Sequence, residues 1–179
     1  VFRVDRASDI RQVIQYAKRH GMKSVIAGGG EAWLVAQELA AAGVPVILDV
    51  LDNLPSSFDH LGARLDNAAL LHAAGVRIAF SYNDSHQARK NRQLAGNAAA
   101  HGLPRDAALA AITANPAEIF SLGALRGRIE QGQVADLVLW GGDPLEVTTI
   151  ADQVWIAGHA VEMRSRQTEL RDRYLERLR

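Results

Sequence analysis

The chain holds no cysteine. That excludes disulfide frameworks, thiolate nucleophiles and thiolate zinc sites, and leaves the redox compartment unspecified. Long apolar runs are missing as well: the longest, such as "VPVIL" at 44–48, fall far short of a bilayer span, so no membrane partner is expected. Charge of one sign is also lacking. The 20 basic and 20 acidic residues give a net charge of +0, and without a block of like charges nothing recommends nucleic acid or an anionic membrane as partner. The arginines near the C-terminus alternate with Glu and Asp and read as a solvated helix face. The six histidines contain no H-x-H, H-x3-H or H-E-x-x-H pair, the spacings that put two imidazoles on one metal. No targeting segment precedes the strand-like "VFRV" at Val1, localisation stays unassigned, and a chain that starts in this way reads as a piece of a longer protein.

What is present is a globular composition, 48% apolar and 22% charged over 179 residues, enough for one domain with a real core. Positions 1–114 repeat a strand-then-helix theme. After "VFRV", the segment "ASDIRQVIQYAKRHG" places Ile10, Val13, Ile14 and Ala17 on one helical stripe and closes on Gly21, where a left-handed residue is wanted. "KSVIA" reads as the second strand, "EAWLVAQELAAAG" as a helix ending on Gly43, and "VPVILDV" as a third strand apolar enough for a sheet buried on both faces. A polar loop with Pro55 follows, then helix "LDNAALLHAAG", strand "VRIAF", loop "SYNDSHQ" and helix "ARKNRQLAGNAAAHG". Such alternation implies a parallel sheet with right-handed crossovers. Four units make half of an eight-stranded barrel or a small open sheet.

"LPRDAALAAITANPAEIFSLG" then reads as two short helices, with Pro104 near a helix start and Pro116 interrupting. From Gly123 the period changes to strands, in "RGRIEQGQVADLVLWGGDP" and "ADQVWIAGHAVEM", with a Gly-Gly-Asp-Pro turn between them. The last segment puts Leu170, Tyr174 and Leu178 on a narrow stripe, as for a helix lying across something.

The run "SVIAGGGEAWLV" at 24–35 raises the question of a phosphate loop. Gly28 and Gly30 start a G-x-G pattern, and Asp49 ends the next strand about where a ribose-binding acid belongs. Trp33, however, stands at the third glycine position, where close helix-to-strand packing leaves no room for a side chain. Glu31 would set a carboxylate beside the phosphate, and no Walker lysine follows. A nucleotide-binding α/β domain is therefore the weaker reading, and a tight turn out of a buried strand the plainer one.

The stretch "LGALRGRIEQGQVADLVLWGGDPLEV", followed by "VWIAGHAV", resembles the C-terminal end of the amidohydrolase superfamily, in particular its imidazolonepropionase-like and dihydroorotase-like metal-dependent hydrolases. Gly127, Ile129, Gly132, Ala135, Asp136, Leu137, Val138, Leu139 and Trp140 match the segment that returns the chain from barrel to sandwich. Asp143, Pro144 and Leu145 match the D-P-L after it, and "AITANPAEIFSLG" resembles the helix before it, with Asn115 and Pro116 in place. The resemblance implies an α/β fold: the C-terminal half of a (β/α)8 TIM-type barrel, strands 5 to 8, in residues 1–122; part of a composite β-sandwich in 123–163; and a C-terminal helix in 164–179. It further implies a hydrolase acting on amide or cyclic amide C–N bonds through a water activated by a divalent metal, zinc being the family's usual choice.

In that family, histidines end strands five and six, and an aspartate ends strand eight, all facing the mouth where barrel chemistry is built. Here Arg3 or Asp5 stands at the first position and the glycine run at the second. Asp84 matches the aspartate as catalytic and metal-binding residue, with Asn83 and His86 beside it. One ligand cannot lower the pKa of a bound water, which takes about three, so the zinc that the family leads one to expect is not supported by the ligands of this segment. Arg3, Glu31, Asp49, Asn83 and His86 are the candidate substrate contacts, and His60 lies on a loop at the same end. Asp136 is assigned to the β element and Asp143 to its turn. His20, His72, His101 and His159 read as surface or helix-end residues.

Two functions remain: an amidohydrolase fragment that hydrolyses a small-molecule substrate, or a degenerate domain of that fold, without metal, serving as scaffold or binding module. Four parallel strands would leave two open edges, so the expected partner is the missing N-terminal half of the barrel or a second copy.

Overall fold

The first apolar stripe sets the architecture. In the computed structural model, which describes residues 1–52, 54–82 and 85–176, helix α1 (Ala7–Arg19) buries Ile10, Val13 and Ala17 against a four-stranded parallel sheet of order β1 (Phe2–Val4), β2 (Ile26–Gly28), β3 (Val46–Leu48) and β4 (Ile78–Phe80). Gly21 and Gly43 take the left-handed conformation that the helix ends require. The α/β reading with a parallel sheet therefore holds. Val46, Leu48, Ile78 and Phe80 face the helices together with Ile26, and these side chains join Leu39, Leu71 and Leu94 in one core. Shielding side chains of this size is worth roughly 1.5–3 kcal/mol each before chain entropy is charged against it.

The register aligns Arg3 with Ala27, Ala27 with Ile47 and Ile47 with Ala79 across the opposite face. On that face Ala27 and Ile47 are only half-buried and Arg3 is exposed. β2 and β3 are thus partly covered on that face, short of the two-sided burial expected for "VPVILDV", whereas β4, with Ala79 on the same face, is buried throughout.

Several expected helices are shorter or tighter. Residues 31–43 form a 3-10 turn (Ala32–Val35) and then α2 (Ala36–Ala42), because the chain must first wind closely around the glycine run. α3 spans Asn67–Ala73. A 3-10 turn (Ser85–Lys90) precedes α4 (Asn91–Ala100). Helices α5 (Arg105–Ala110) and α6 (Ala114–Ile119) follow. Pro116 lies in the first turn of α6, where its missing N–H has no intrahelical partner to lose, so it does not interrupt the helix.

The outer edge of β4 differs from expectation. The Phe80 amide donates to the Ala111 carbonyl at 3.1 Å, and the Asn115 side-chain amide donates to the Ile78 carbonyl at 2.8 Å. This edge is therefore covered from within the chain.

A second, antiparallel sheet contains β5 (Leu137–Trp140), β6 (Ala151–Ile156) and β7 (His159–Ala160). The turn at Ala157 and Gly158 uses positive φ at both residues, as tight hairpins do. Asp136 accepts from the Ala157 amide at 2.9 Å and Asp143 from the Leu145 amide at 2.8 Å, the roles assigned to them. Arg92 on α4 donates to the carbonyls of Glu146 (3.1 Å), Thr149 (2.8 Å) and Val147 (3.3 Å) while stacking on Trp140 at 4.6 Å. It clamps the β5–β6 connection to the first unit. The last helix, α7 (Arg166–Glu176), buries none of its residues, and Tyr174 is 58% exposed. Of the expected stripe, Leu170 is partly buried and Leu178 lies outside the described residues. None of these helices is long and apolar enough to cross a membrane.

Candidate functional site

A parallel sheet gathers the ends of its strands on one side, and the residues that follow β1, β2 and β3 form a polar group there. Beyond β2 the chain stays tied to the end of β1: the Gly29 amide donates to the Val4 carbonyl at 2.8 Å, and the Glu31 amide to the Asp5 carbonyl at 2.9 Å. The Gly30 amide donates to Asp5 Oδ1 at 3.2 Å. All three amides that a phosphate cradle would aim at an anion are engaged with β1, and a carboxylate already sits among them. The glycine run is not built as a phosphate loop.

Space explains the glycines. Gly28 has φ +97, and a Cβ there would lie 2.6 Å from Asp5 Oδ1. Asp5 thus lodges in the volume where a strand-end side chain of β2 would project. Gly29, also at positive φ, has its carbonyl held by the side-chain amide of fully buried Asn67 at 2.9 Å.

The segment after β3 crosses back over this group. His60, on the 3-10 turn Phe58–His60, places Nε2 3.4 Å from Asp5 Oδ2 and 4.0 Å from Asp52 Oδ2. Its Nδ1 is 2.9 Å from the Ser57 hydroxyl. Nδ1 thus shares a hydrogen bond with the Ser57 hydroxyl while Nε2 faces the two carboxylates. Further along, the Trp33 indole N–H donates to the Gly62 carbonyl at 2.8 Å, and the Arg64 guanidinium stacks on the Trp33 ring at 4.7 Å. Arg64 also grips Asp66 through two 2.7 Å bonds, and these hold the Asp66 carboxyl below the usual carboxylate range.

The expected site residues fall as follows. Glu31 reaches this mouth, but its Oε2 accepts from the Ala7 amide at 3.0 Å and so caps the first turn of α1, where a negative charge suits the helix dipole. Asp49 Oδ1 accepts from the Leu51 amide at 3.1 Å, an Asx turn. Arg3 sits mid-strand on the face away from the helices, whereas Asp5 follows the strand end. His86 is exposed on the Ser85–Lys90 turn. Asn83 and Asp84 lie outside the described residues. Sequence reasoning placed His60 at the correct end but missed its pairing with Asp5, and it missed Asn67 and Ser57 altogether. Only the Ser-x-x-His spacing at 57–60 hinted at one of these contacts.

A divalent metal needs free lone pairs converging on one point. Here Asp5 Oδ1 accepts from the Gly30 amide, Glu31 is capping a helix and His60 Nε2 lies 3.4 Å from Asp5 Oδ2. Among the described residues no three His, Asp or Glu side chains are grouped to hold a metal ion. The described residues at this end do not assemble a site for the family's metal. What they can do is hold polar groups at the strand ends.

Comparison with known proteins gives a consistent answer. Residues 3–161 match the model of the Amidohydrolase family. Over 60 residues the chain is 47% identical to the amidohydrolase tasK of Hapsidospora irregularis, a stretch that is 34% of this chain and 6% of that protein. The crystal structure of an amidohydrolase from Thermotoga maritima superposes with a TM-score of 0.84 at 30% identity, covering 90% of this chain and 43% of that one. An adenosine deaminase from Xanthomonas campestris with bound zinc superposes with a TM-score of 0.61 at 20% identity, covering 96% of this chain and 47% of that one; this second likeness is one of fold alone. The chain spans less than half the length of these structures.

Proposed function

Because this chain belongs to the amidohydrolase family, we propose that it forms strands five to eight of a (β/α)8 barrel whose mouth, in this half, binds a small polar molecule instead of holding the family's metal. One observation carries this reading: Asp5 occupies the side-chain volume of position 28 and faces His60 at 3.4 Å, so a carboxylate–imidazole contact stands where strand-end ligands belong. The second sheet is the matching part of the family's β-sandwich. The half-exposed face of Ala27 and Ile47 fits coverage by the remaining barrel strands or by a second copy.

Metal-dependent hydrolysis of a C–N bond is the second reading, favoured by membership of the amidohydrolase family. On that reading Asp84 and groups outside this chain supply the ligands. Metal analysis of the full-length protein separates the two. The binding reading expects no stoichiometric zinc, manganese or nickel after purification without chelator; a full equivalent of metal, lost in Asp84→Ala, would sink it.

A further inference from the structure

Three glycines around the mouth each face a polar side chain from the opposing segment. Gly28 receives Asp5. Gly30 receives His60, whose Cδ2 would lie 3.2 Å from a Cβ at that position, and Gly62 receives Glu31, whose Cγ and Oε1 would both lie 2.8 Å from one. Two of these seats join residues 56–64 to the glycine run, one in each direction: His60 enters from the crossing segment and Glu31 enters from the run. The remaining ties reinforce them. They are the Trp33 indole on the Gly62 carbonyl, the Arg64 stack on Trp33 and an Arg6–Asp59 pair at 3.4 Å. On its outer side the segment carries Phe58, 83% exposed, and Leu61, 63% exposed. It is fastened by polar groups below and has little apolar burial to keep it down, the composition expected of an element that opens locally.

We propose that residues 56–64 are a gate over the mouth, closed by seating His60 against Gly30 and Glu31 against Gly62, and that lifting it opens full access to Asp5, whose side chain is 22% exposed while the gate is seated. This rests on the reading that the mouth binds a molecule. It adds what controls entry, and it assigns the glycines a purpose: they are sockets. Gly30 and Gly62 lie outside the positive-φ region, so alanine at either adds a methyl group without backbone strain. Steric conflict with the seated side chain is the only change.

The experiment is hydrogen–deuterium exchange of segment 56–64 in the full chain, combined with carbodiimide-driven amine labelling of Asp5 read by mass spectrometry. His60→Ala is expected to raise both exchange and Asp5 labelling by about tenfold. Gly30→Ala is expected to raise both in the wild-type background and to add nothing in the His60→Ala background, because the methyl then meets an empty seat. Gly62→Ala paired with Glu31→Ala forms the same cycle at the other seat and keeps the test open if a His60 variant folds poorly. Independent, multiplying effects in both cycles, or labelling of Asp5 that ignores all four substitutions, overturn the gate. Zinc content measured on the same wild-type sample reports separately on the binding reading, since coupling between seats does not depend on it.

Discussion

Position 28 concentrates two constraints in one residue. Its φ of +97 is a conformation that costs a side-chain-bearing residue energy, and a Cβ there collides with Asp5 Oδ1 at 2.6 Å. Gly28→Ala should therefore destabilise the chain by more than about 1 kcal/mol, the threshold at which an incompatible φ outweighs the entropy gained by removing a glycine. Urea unfolding measures it. Adding Asp5→Ala should recover the part due to collision and leave the part due to φ; full recovery would show that the backbone is unstrained. At this scale the sequence was half legible. The glycines were visible as an anomaly, and Trp33 and Glu31 argued correctly against a phosphate. That Asp5 fills the space was not visible, because Asp5 and Gly28 are neighbours only through sheet register. His60 meets Asp5 across 55 positions of chain (60 − 5), with no local pattern to announce it.

Elements were more legible where one face decides them. Ile10, Val13 and Ala17 repeat at helical spacing, and α1 follows. Residues 31–43 carry helix-forming composition as well, yet they begin as a 3-10 turn, because tertiary packing around the glycine run overrides propensity. "RGRIEQGQVAD" reads as strand, but β5 starts only at Leu137: its alternation is weak and Gly127 and Gly132 break it with positive φ. The β5–β6 connection is held by buried Leu145, by the Arg105–Asp143 pair and by Arg92. Arg92 satisfies three carbonyls with one guanidinium and stacks its plane on Trp140, a combination that needs a planar fork. Arg92→Ala should cost about 1–3 kcal/mol by the worth of charged hydrogen bonds, and it should raise deuterium exchange at 146–150. Arg92→Lys retains the charge and should restore less than half of the lost stability. Full rescue by lysine would mean that charge alone matters there.

At the scale of the molecule, the two outer edges of the parallel sheet are not equivalent, although four alternating units gave no reason to distinguish them. The Asn115 side chain and the Ala111 carbonyl occupy the outward groups of β4, so a second copy offering a strand there must first displace them. A second copy is consequently hindered from adding a strand at this edge. Asn115→Ala removes one of the two guards. It leaves the Ile78 carbonyl unpaired at about 1 kcal/mol and makes β4 a template for strand addition. Sedimentation velocity over a series of concentrations should show the variant associating more strongly than the wild-type chain, while Asn115→Asp, which has no donor for the carbonyl, should behave like the alanine variant. If wild type and variants associate equally, the edge is not what limits pairing between copies.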